Sequence, residues 1–369
     1  MMFEKTKALC DSFLEMNIPG FDLLVYKDGK EILRYMNGYN DRHNKTPMHG
    51  KELYNIFSCS KLMTCVAALQ LWEKGLFQLE DPLYKFLPEF ENMTVREADG
   101  TVRPAKTTLE IHHLFSMTAG FNYDLQTPGL RKLRLATAGK CPTQEVARVL
   151  ASQPLDFDPG THYRYSLAHD VLAALVEVIA EKPFAQYVKE NIFDPLGMTH
   201  SDFLLPVEEY RNVVPLYRGI DGTTEHTEVN PHYMGQIPMY RIGTQHASGG
   251  AGCVSTVEDY MKLLEAVRLG QILKPETVKM MATNRLTPEQ IEKDYNKAGY
   301  GYGLGVRVAL PESGVYDFGW GGAAGAYFCI DPVNNICIYY AQHVVLSPNT
   351  SLRGQVYRSV LADLGLFGK

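Results

Sequence analysis

The chain has 369 residues, of which 45% are hydrophobic and 21% charged, and its formal net charge is −6 at pH 7. This is the composition of a folded globular protein, and it excludes a disordered chain, which combines low hydrophobicity with high net charge. A nucleic-acid binder needs a basic face, and because the sequence holds no Lys/Arg cluster we expect no nucleic-acid partner. At about 150 residues per domain, the length favours two or three structural units.

The beginning of the chain does not have the pattern of a secretion signal. Glu4 and Glu15 lie around a broken apolar stretch that lacks a small-residue cleavage site. The apolar stretches at 62–72 and 171–180 are shorter than the about 20 residues that a membrane span needs. The seven cysteines have no CxxC spacing, so we expect buried, reduced thiols. Together these features predict a cytoplasmic protein with no membrane partner.

Taken in chain order, the first elements are a helix and a hairpin. Apolar residues at helical spacing predict an amphipathic helix over 3–17. Two β-rich runs follow, at 21–26 and 31–36, and they flank Asp28-Gly29, which is a strong signal for a tight hairpin turn.

The next segment, 58–74, predicts a helix that Gly75 ends. Because it is apolar on nearly every side, we expect it to be central and buried. Further helices are predicted at 108–116, 143–152, 167–181 and 183–193. Residues 206–246 are rich in Pro, Gly and Tyr with little periodicity, and we expect long loops that line a pocket.

The last third of the chain predicts helices and strands again. A helix is expected at 257–268, capped by Ser255 or Thr256, and a final helix at 350–364. Strands are expected at 302–309, 314–318, 325–331 and 336–343. The pattern therefore predicts an α+β fold, with one antiparallel sheet built from both chain ends and flanked by the terminal helices. We expect a sheet lobe made of 1–80 and 245–369, and an inserted, mostly helical lobe made of 81–244.

Several common sites are missing from the sequence. There is no phosphate-binding GxxxxGK[ST] loop, no HExxH helix and no GxSxG elbow. The run 319–324 fits GxGxxA, but a dinucleotide loop must open a helix, and strand-like residues follow it. His112 and His113 are adjacent, and we expect neighbouring residues to point to different helix faces. We therefore predict no metal and no cofactor.

One pattern with chemical meaning remains, the SxxK formed by Ser58 and Lys61. It could simply be a helix cap followed by a solvated lysine. Lys61, however, lies at a helix start, where a cation opposes the helix dipole, and on a segment that is apolar almost all round. Residues i and i+3 share a helix face, so the amine can reach the hydroxyl, and the N–H of Ser58 is free to supply half of an oxyanion hole.

Two further segments accompany this motif, 163–167 (YRYSL) and 318–323 (FGWGGA). Taken singly, their Tyr and Trp residues are typical of a core or a pocket wall. Their order and spacing relative to the SxxK make them informative together.

With these segments, the sequence resembles the serine β-lactamase and penicillin-binding-protein superfamily over about residues 20–345, and most nearly the class C β-lactamases and family VIII carboxylesterases. The resemblance is carried by FSCSKLMT, LEDPLYKFLPEF, TLEIHHLFSMTAGF, the stretch with the Y-x-N-like motif and GCVSTVEDYMKLL. It implies the β-lactamase/transpeptidase-like fold and a serine hydrolase that acts through a covalent acyl-enzyme.

The resemblance implies specific roles. Ser58 is the nucleophile, Lys61 its partner and Tyr165 the tyrosine of the Y-x-N motif. The second oxyanion N–H is that of Ala323. From the chemistry of the two groups we expect Lys61 and Tyr165 to share a proton as a pair. A phenolate-like Tyr165 held by Lys61 is our favoured base, and Lys61 itself stays open as the alternative.

The departures from the family pattern concern substrate binding. Trp320, Gly321 and Gly322 stand where lactamases have K-T-G, and Leu167 replaces the Asn that contacts a lactam side chain. A β-lactam acid would lose charge-assisted bonds worth about 1.5–3 kcal/mol each, so we expect neutral small carboxylic esters, with Trp320 as a wall of the acyl pocket.

Two alternatives stay open. One is β-lactamase activity or D-amino-acid peptidase or amidase activity. The other is a non-catalytic binding protein with an inherited pocket. The expected partner is a small-molecule acyl substrate, and the sequence leaves hydrolysis against acyl transfer, and the oligomeric state, undecided.

Overall fold

The structure is a computed structural model that describes residues 3–220, 225–229 and 242–367. Fifteen strands are described within these ranges: β1 (Gly20–Lys27), β2 (Lys30–Asp41), β3 (Thr46–Pro47), β4 (Tyr54–Asn55), β5 (Thr94–Arg96), β6 (Val102–Pro104), β7 (Leu216–Gly219), β8 (His226–Val229), β9 (Val254–Ser255), β10 (Tyr300–Tyr302), β11 (Arg307–Ala309), β12 (Phe318–Gly321), β13 (Tyr327–Asp331), β14 (Ile336–Gln342) and β15 (Val344–Val345).

Twelve α-helices are described in the same ranges: α1 (Glu4–Glu15), α2 (Ser60–Glu73), α3 (Ile111–Phe115), α4 (Pro128–Ala136), α5 (Thr143–Ala151), α6 (Ala168–Ala180), α7 (Phe184–Val188), α8 (Asp194–Leu196), α9 (Val257–Arg268), α10 (Pro275–Met281), α11 (Pro288–Gln290) and α12 (Gln355–Asp363). None of them is both long and apolar enough to cross a membrane.

The central sheet has eight strands in the order β10-β11-β12-β13-β14-β1-β2-β3, and every neighbouring pair is antiparallel. Strand β1, from the beginning of the chain, pairs with β14, from its end. The β1–β2 hairpin turns at Asp28 and Gly29, both with positive φ, as a two-residue primed turn requires. The predicted α+β fold with a sheet built from both chain ends is confirmed.

Helices cover both faces of this sheet. On one face, α1 and α12 pack together, with Phe13 of α1 and Val360 of α12 in one apolar cluster. On the other face lies the larger core, which contains α2 and most of the helical middle. Helix α2 has 11 buried residues of 14, so it is central as predicted, and it packs against α6.

Several predicted bounds are wrong. The expected strand 302–309 is a hairpin of two three-residue strands, β10 and β11, because the chain reverses at Gly305, where φ is +85°. Where a strand was expected at 314–318, a 3-10 turn at Pro311–Ser313 precedes β12, and Tyr316 is exposed. Helices α4 and α10 were not predicted.

The expected pocket-lining loops at 206–246 lie partly outside the described residues, which exclude 221–224 and 230–241. The described part contains a 3-10 helix at Val207–Asn212 and the strands β7 and β8.

Candidate active site

The SxxK pair lies where the chain enters α2. Ser58 is in a 3-10 turn at Phe57–Cys59, and the residue before it, Phe57, has a φ of +46°. Such a conformation is costly for a bulky residue and is often found at functional sites. Lys61, one turn further, is completely buried. Its Nζ lies 3.3 Å from Ser58 Oγ and donates a hydrogen bond to the Gly250 carbonyl at 2.6 Å.

Tyr165 approaches Ser58 from the segment before α6. Its hydroxyl donates a hydrogen bond to Ser58 Oγ at 2.6 Å. Lys61 Nζ lies 4.6 Å from the centroid of the Tyr165 ring, a distance at which an ammonium is attracted to the ring face. The Tyr123 ring stacks on the Tyr165 ring, with the two centroids 5.6 Å apart. The structure thus brings Ser58, Lys61 and Tyr165 together.

Trp320, on β12, contacts the same tyrosine. Its Nε1–H donates to the Tyr165 hydroxyl oxygen at 3.2 Å, and the two ring centroids are 5.4 Å apart. No motif in the sequence indicates this hydrogen bond. It allows Trp320 to fix the phenol oxygen and to stabilise negative charge on that oxygen.

Two backbone N–H groups are available for an oxyanion. Among the described residues, no acceptor receives a hydrogen bond from the N–H of Ser58 or of Ala323. Both residues line one cavity. A Cβ on Gly322 would lie 2.5 Å from the Ile56 carbonyl oxygen. Only glycine therefore lets the end of β12 approach the segment that carries Ser58.

Two cavities meet at Ser58, Tyr165 and Ala323. The smaller, of about 340 Å³, is mainly apolar and is also lined by Phe57, Tyr123 and Ala251. The larger, of about 620 Å³, extends past Trp320, Gly321 and Gly322 toward α12. Trp320 therefore lines the larger cavity and not the smaller, apolar one.

Leu167 does not reach either cavity. Its side chain is only 2% exposed and belongs to the large apolar core. The residue lies directly before α6, and an apolar side chain at that point turns inward with the buried face of the helix. The expectation that Leu167 contacts substrate is therefore wrong.

A buried carboxylate lies behind the lysine. Asp170 of α6 accepts a hydrogen bond from Ser248 Oγ at 2.6 Å, and His246 Nε2 is 3.3 Å away. Burial raises the pKa of Asp170, but hydrogen bonds from His246 and Ser248 and the charge of Lys61 outweigh burial, so its pKa is lowered from the ordinary value. No local motif marks Asp170, Tyr123 or Gly250 in the sequence, and they were not predicted.

The adjacent histidines behave differently from the expectation. The rings of His112 and His113 are 4.0 Å apart, and together with Glu110 they place three potential ligand atoms within 4.8 Å of one another. Their atoms are already used, however, because His113 Nδ1 accepts from the Glu110 backbone N–H and His112 Nε2 lies 2.9 Å from the Glu110 carboxylate. Burial, followed by the neighbouring His112, lowers the pKa of His113 to about 3.

The fold and this constellation define a serine hydrolase of the β-lactamase fold. The chain belongs to the Beta-lactamase family, whose model matches residues 7–355. It is 29% identical to esterase EstB of Burkholderia gladioli, over 92% of this chain and 88% of the relative, and 26% identical to lovastatin esterase of Penicillium rubens, over 87% and 86%. The solved structure of EstCE1, a hydrolase with promiscuous acyltransferase activity, superposes with a TM-score of 0.79 at 25% identity and covers 99% of this chain and 98% of that one.

Proposed function

We propose that the protein cleaves small carboxylic esters through an acyl-enzyme on Ser58. The observation that carries this proposal is the convergence of Tyr165 Oη, at 2.6 Å, and Lys61 Nζ, at 3.3 Å, on one serine hydroxyl. A serine is a weak nucleophile until a neighbouring base accepts its proton. Both neighbours lie within or near hydrogen-bond reach, the geometry that a general base requires.

In the proposed reaction, Tyr165 acts as the base while Lys61 holds it. In its phenolate form Tyr165 accepts the proton of Ser58, the Oγ–carbon bond forms, and the carbonyl oxygen accepts hydrogen bonds from the N–H groups of Ser58 and Ala323. The ester C–O bond then breaks and Tyr165 returns the proton to the leaving alcohol. Water, or a second alcohol, attacks the acyl-enzyme by the reverse sequence.

The smaller cavity favours an apolar acyl group. Its lining is mostly aromatic and aliphatic, and a cavity of about 340 Å³ is at the small end for ligand sites. We therefore propose a short-chain acyl group for this space. A small-molecule substrate in the cytoplasm is our proposal for partner and location. Its support is the seven cysteines, all of which are unpaired and buried.

The proposal is tested with 4-nitrophenyl butanoate and a fluorophosphonate label followed by peptide mass mapping. We expect Ser58→Ala to lose turnover and labelling, and Ser60→Ala, a change in the same motif, to keep the label. Lys61→Ala should lower kcat/KM at least about 100-fold, the scale of acid–base catalysis. Undiminished turnover by Ser58→Ala would refute the acyl-enzyme. Faster turnover of a chromogenic cephalosporin than of the ester would instead favour the β-lactamase alternative.

A further inference from the structure

The larger cavity beside Ser58 is rich in positive charge although the protein as a whole is negative. Lys297, Arg307, Arg353 and Arg358 line it, and none of the described residues in its wall is acidic. The formal net charge of the chain is −6. Four cations in one wall are therefore a local feature that the overall composition does not explain.

Three of these four cations have no carboxylate partner among the described residues. Arg307 is paired with Asp317. Lys297 Nζ lies over the Trp320 ring, 5.4 Å from its centroid. The Arg358 guanidinium donates a hydrogen bond to the Ser313 carbonyl oxygen at 3.4 Å and lies 5.5 Å from the centroid of the Phe367 ring. Unpaired cations that share a wall repel one another, and an anion placed between them would remove that repulsion.

Arg353 connects the cationic cavity with the loop that carries the proposed second oxyanion N–H. Its Nη1 donates to the carbonyls of Gly322 and Ala326, at 3.0 and 3.2 Å, and thereby supports the loop that carries the Ala323 N–H. Its buried Nε has no partner among the described residues. Burial lowers the pKa of Arg353, and burial followed by the positive charges of Arg307 and Arg353 nearby lowers the pKa of Lys297.

We infer that the alcohol part of the substrate carries an anionic group, a carboxylate or a phosphate, which binds in this cationic cavity. The inference rests on the proposed ester cleavage. It reverses the expectation of a wholly neutral substrate, which rested on the replacement of a lysine by Trp320. The cations are supplied instead by the loop before β10 and by the beginning of α12.

The geometry assigns the anion to the alcohol rather than to the acyl group. In the proposed reaction the oxygen of the leaving alcohol takes its proton from Tyr165. The Tyr165 hydroxyl accepts a hydrogen bond from Trp320, which lines the cationic cavity, so we place the alcohol in that cavity. The acyl group then occupies the apolar cavity on the other side of Ser58. Guanidinium and ammonium groups bind carboxylate and phosphate alike, so the two anions are distinguished by experiment.

The test compares 4-carboxyphenyl and 4-phosphonophenyl butanoate with the neutral 4-(methoxycarbonyl)phenyl butanoate, each kcat/KM being divided by the rate with hydroxide to remove intrinsic reactivity. We expect a preference of about tenfold or more for at least one anionic ester, and the better of the two identifies the anion. Raising the salt concentration from 50 to 500 mM should raise KM for the preferred anionic ester only.

A double variant, Lys297→Gln with Arg358→Gln, should lower that preference at least about fivefold. Lys85→Gln with Lys293→Gln, which removes two exposed positive charges elsewhere, should change it less than twofold. A carboxylate on the acyl side, in mono-4-nitrophenyl glutarate against 4-nitrophenyl butanoate, should give no gain.

Equal, salt-independent rates for anionic and neutral esters in the unaltered enzyme would overturn the inference, as would a gain for the glutarate. This outcome needs no variant to fold, and it leaves the proposed ester cleavage standing. If no ester in the set is cleaved at all, the proposed function fails instead.

Discussion

The hydrogen bond from Trp320 to Tyr165 provides a quantitative test of the base. The indole N–H lies 3.2 Å from the phenol oxygen, and hydrogen bonds to charged groups contribute about 1.5–3 kcal/mol. At 1.36 kcal/mol per factor of ten, loss of a bond that strengthens as the phenol oxygen gains negative charge should lower kcat/KM about 10- to 150-fold. Trp320→Phe removes the donor and keeps an aromatic ring under Lys297.

A double-mutant cycle separates this bond from the shape of the cavity. Trp320→Phe, Tyr165→Phe and the double variant are compared with the unaltered enzyme, using kcat/KM for 4-nitrophenyl butanoate between pH 6 and 9. In the Tyr165→Phe background the acceptor oxygen is missing, so we expect Trp320→Phe to cost no more than about threefold.

The corresponding coupling energy should be at least about 0.7 kcal/mol, the difference between a tenfold and a threefold loss. A coupling energy below about 0.5 kcal/mol, with both single variants impaired, would show that Trp320 acts through cavity shape alone. If Tyr165→Phe stays within threefold of the unaltered enzyme, Tyr165 is not the base.

Three further outcomes follow from the structure. Gly322→Ala should lower kcat at least about 100-fold because its Cβ would meet a backbone carbonyl at 2.5 Å, whereas Gly321→Ala, whose Cβ would meet its first neighbour at 3.2 Å, should stay within about fivefold in the same assay. Asp170→Asn should lower the free energy of unfolding in urea by about 3 kcal/mol, because it leaves the buried Lys61 without its nearby anion, and an unchanged urea midpoint would contradict this. Burial is the largest cause that lowers the pKa of His113 and of His169 to about 3. Between pH 6.5 and 3 these histidines therefore bind protons in the unfolded chain but not in the folded chain. Their contribution to stability is complete above pH 6.5 and is lost as the pH falls toward 3, by about 2 kcal/mol each at pH 5, and His169→Gln should flatten that slope in urea unfolding at pH 7 and 5.

The parts of the site that the sequence predicts are those with local signals. An SxxK on a segment apolar all round predicts a serine beside a buried lysine, and the structure places the buried Lys61 Nζ 3.3 Å from Ser58 Oγ. Alternation of apolar residues and turn signals predicts four of the eight strands of the central sheet, β1, β2, β13 and β14. Such signals depend on neighbours within a few positions, which one sequence is enough to reveal.

The parts that were missed depend on contacts between distant segments. Gly250 lies 189 positions after Lys61, and nothing near either residue indicates that a carbonyl will accept from that ammonium. The cations of the larger cavity come from separate elements and form no run in the sequence. The prediction that Leu167 contacts substrate was wrong for a related reason. The place of a residue in a motif determines its backbone position but not the direction of its side chain.

The charges behind Ser58 bear on which residue accepts its proton. Lys61 Nζ is completely buried, with a carbonyl oxygen at 2.6 Å, the faces of Tyr123 and Tyr165 at 5.5 and 4.6 Å, and the ionised Asp170 acting through its charge. All four favour a positive charge at that point, since each presents negative potential to the nitrogen. A lysine that keeps its proton cannot take the serine proton, whereas its charge would stabilise a phenolate beside it. Tyr165, whose oxygen is the nearer of the two to Ser58 Oγ, is therefore the group that we propose as the base.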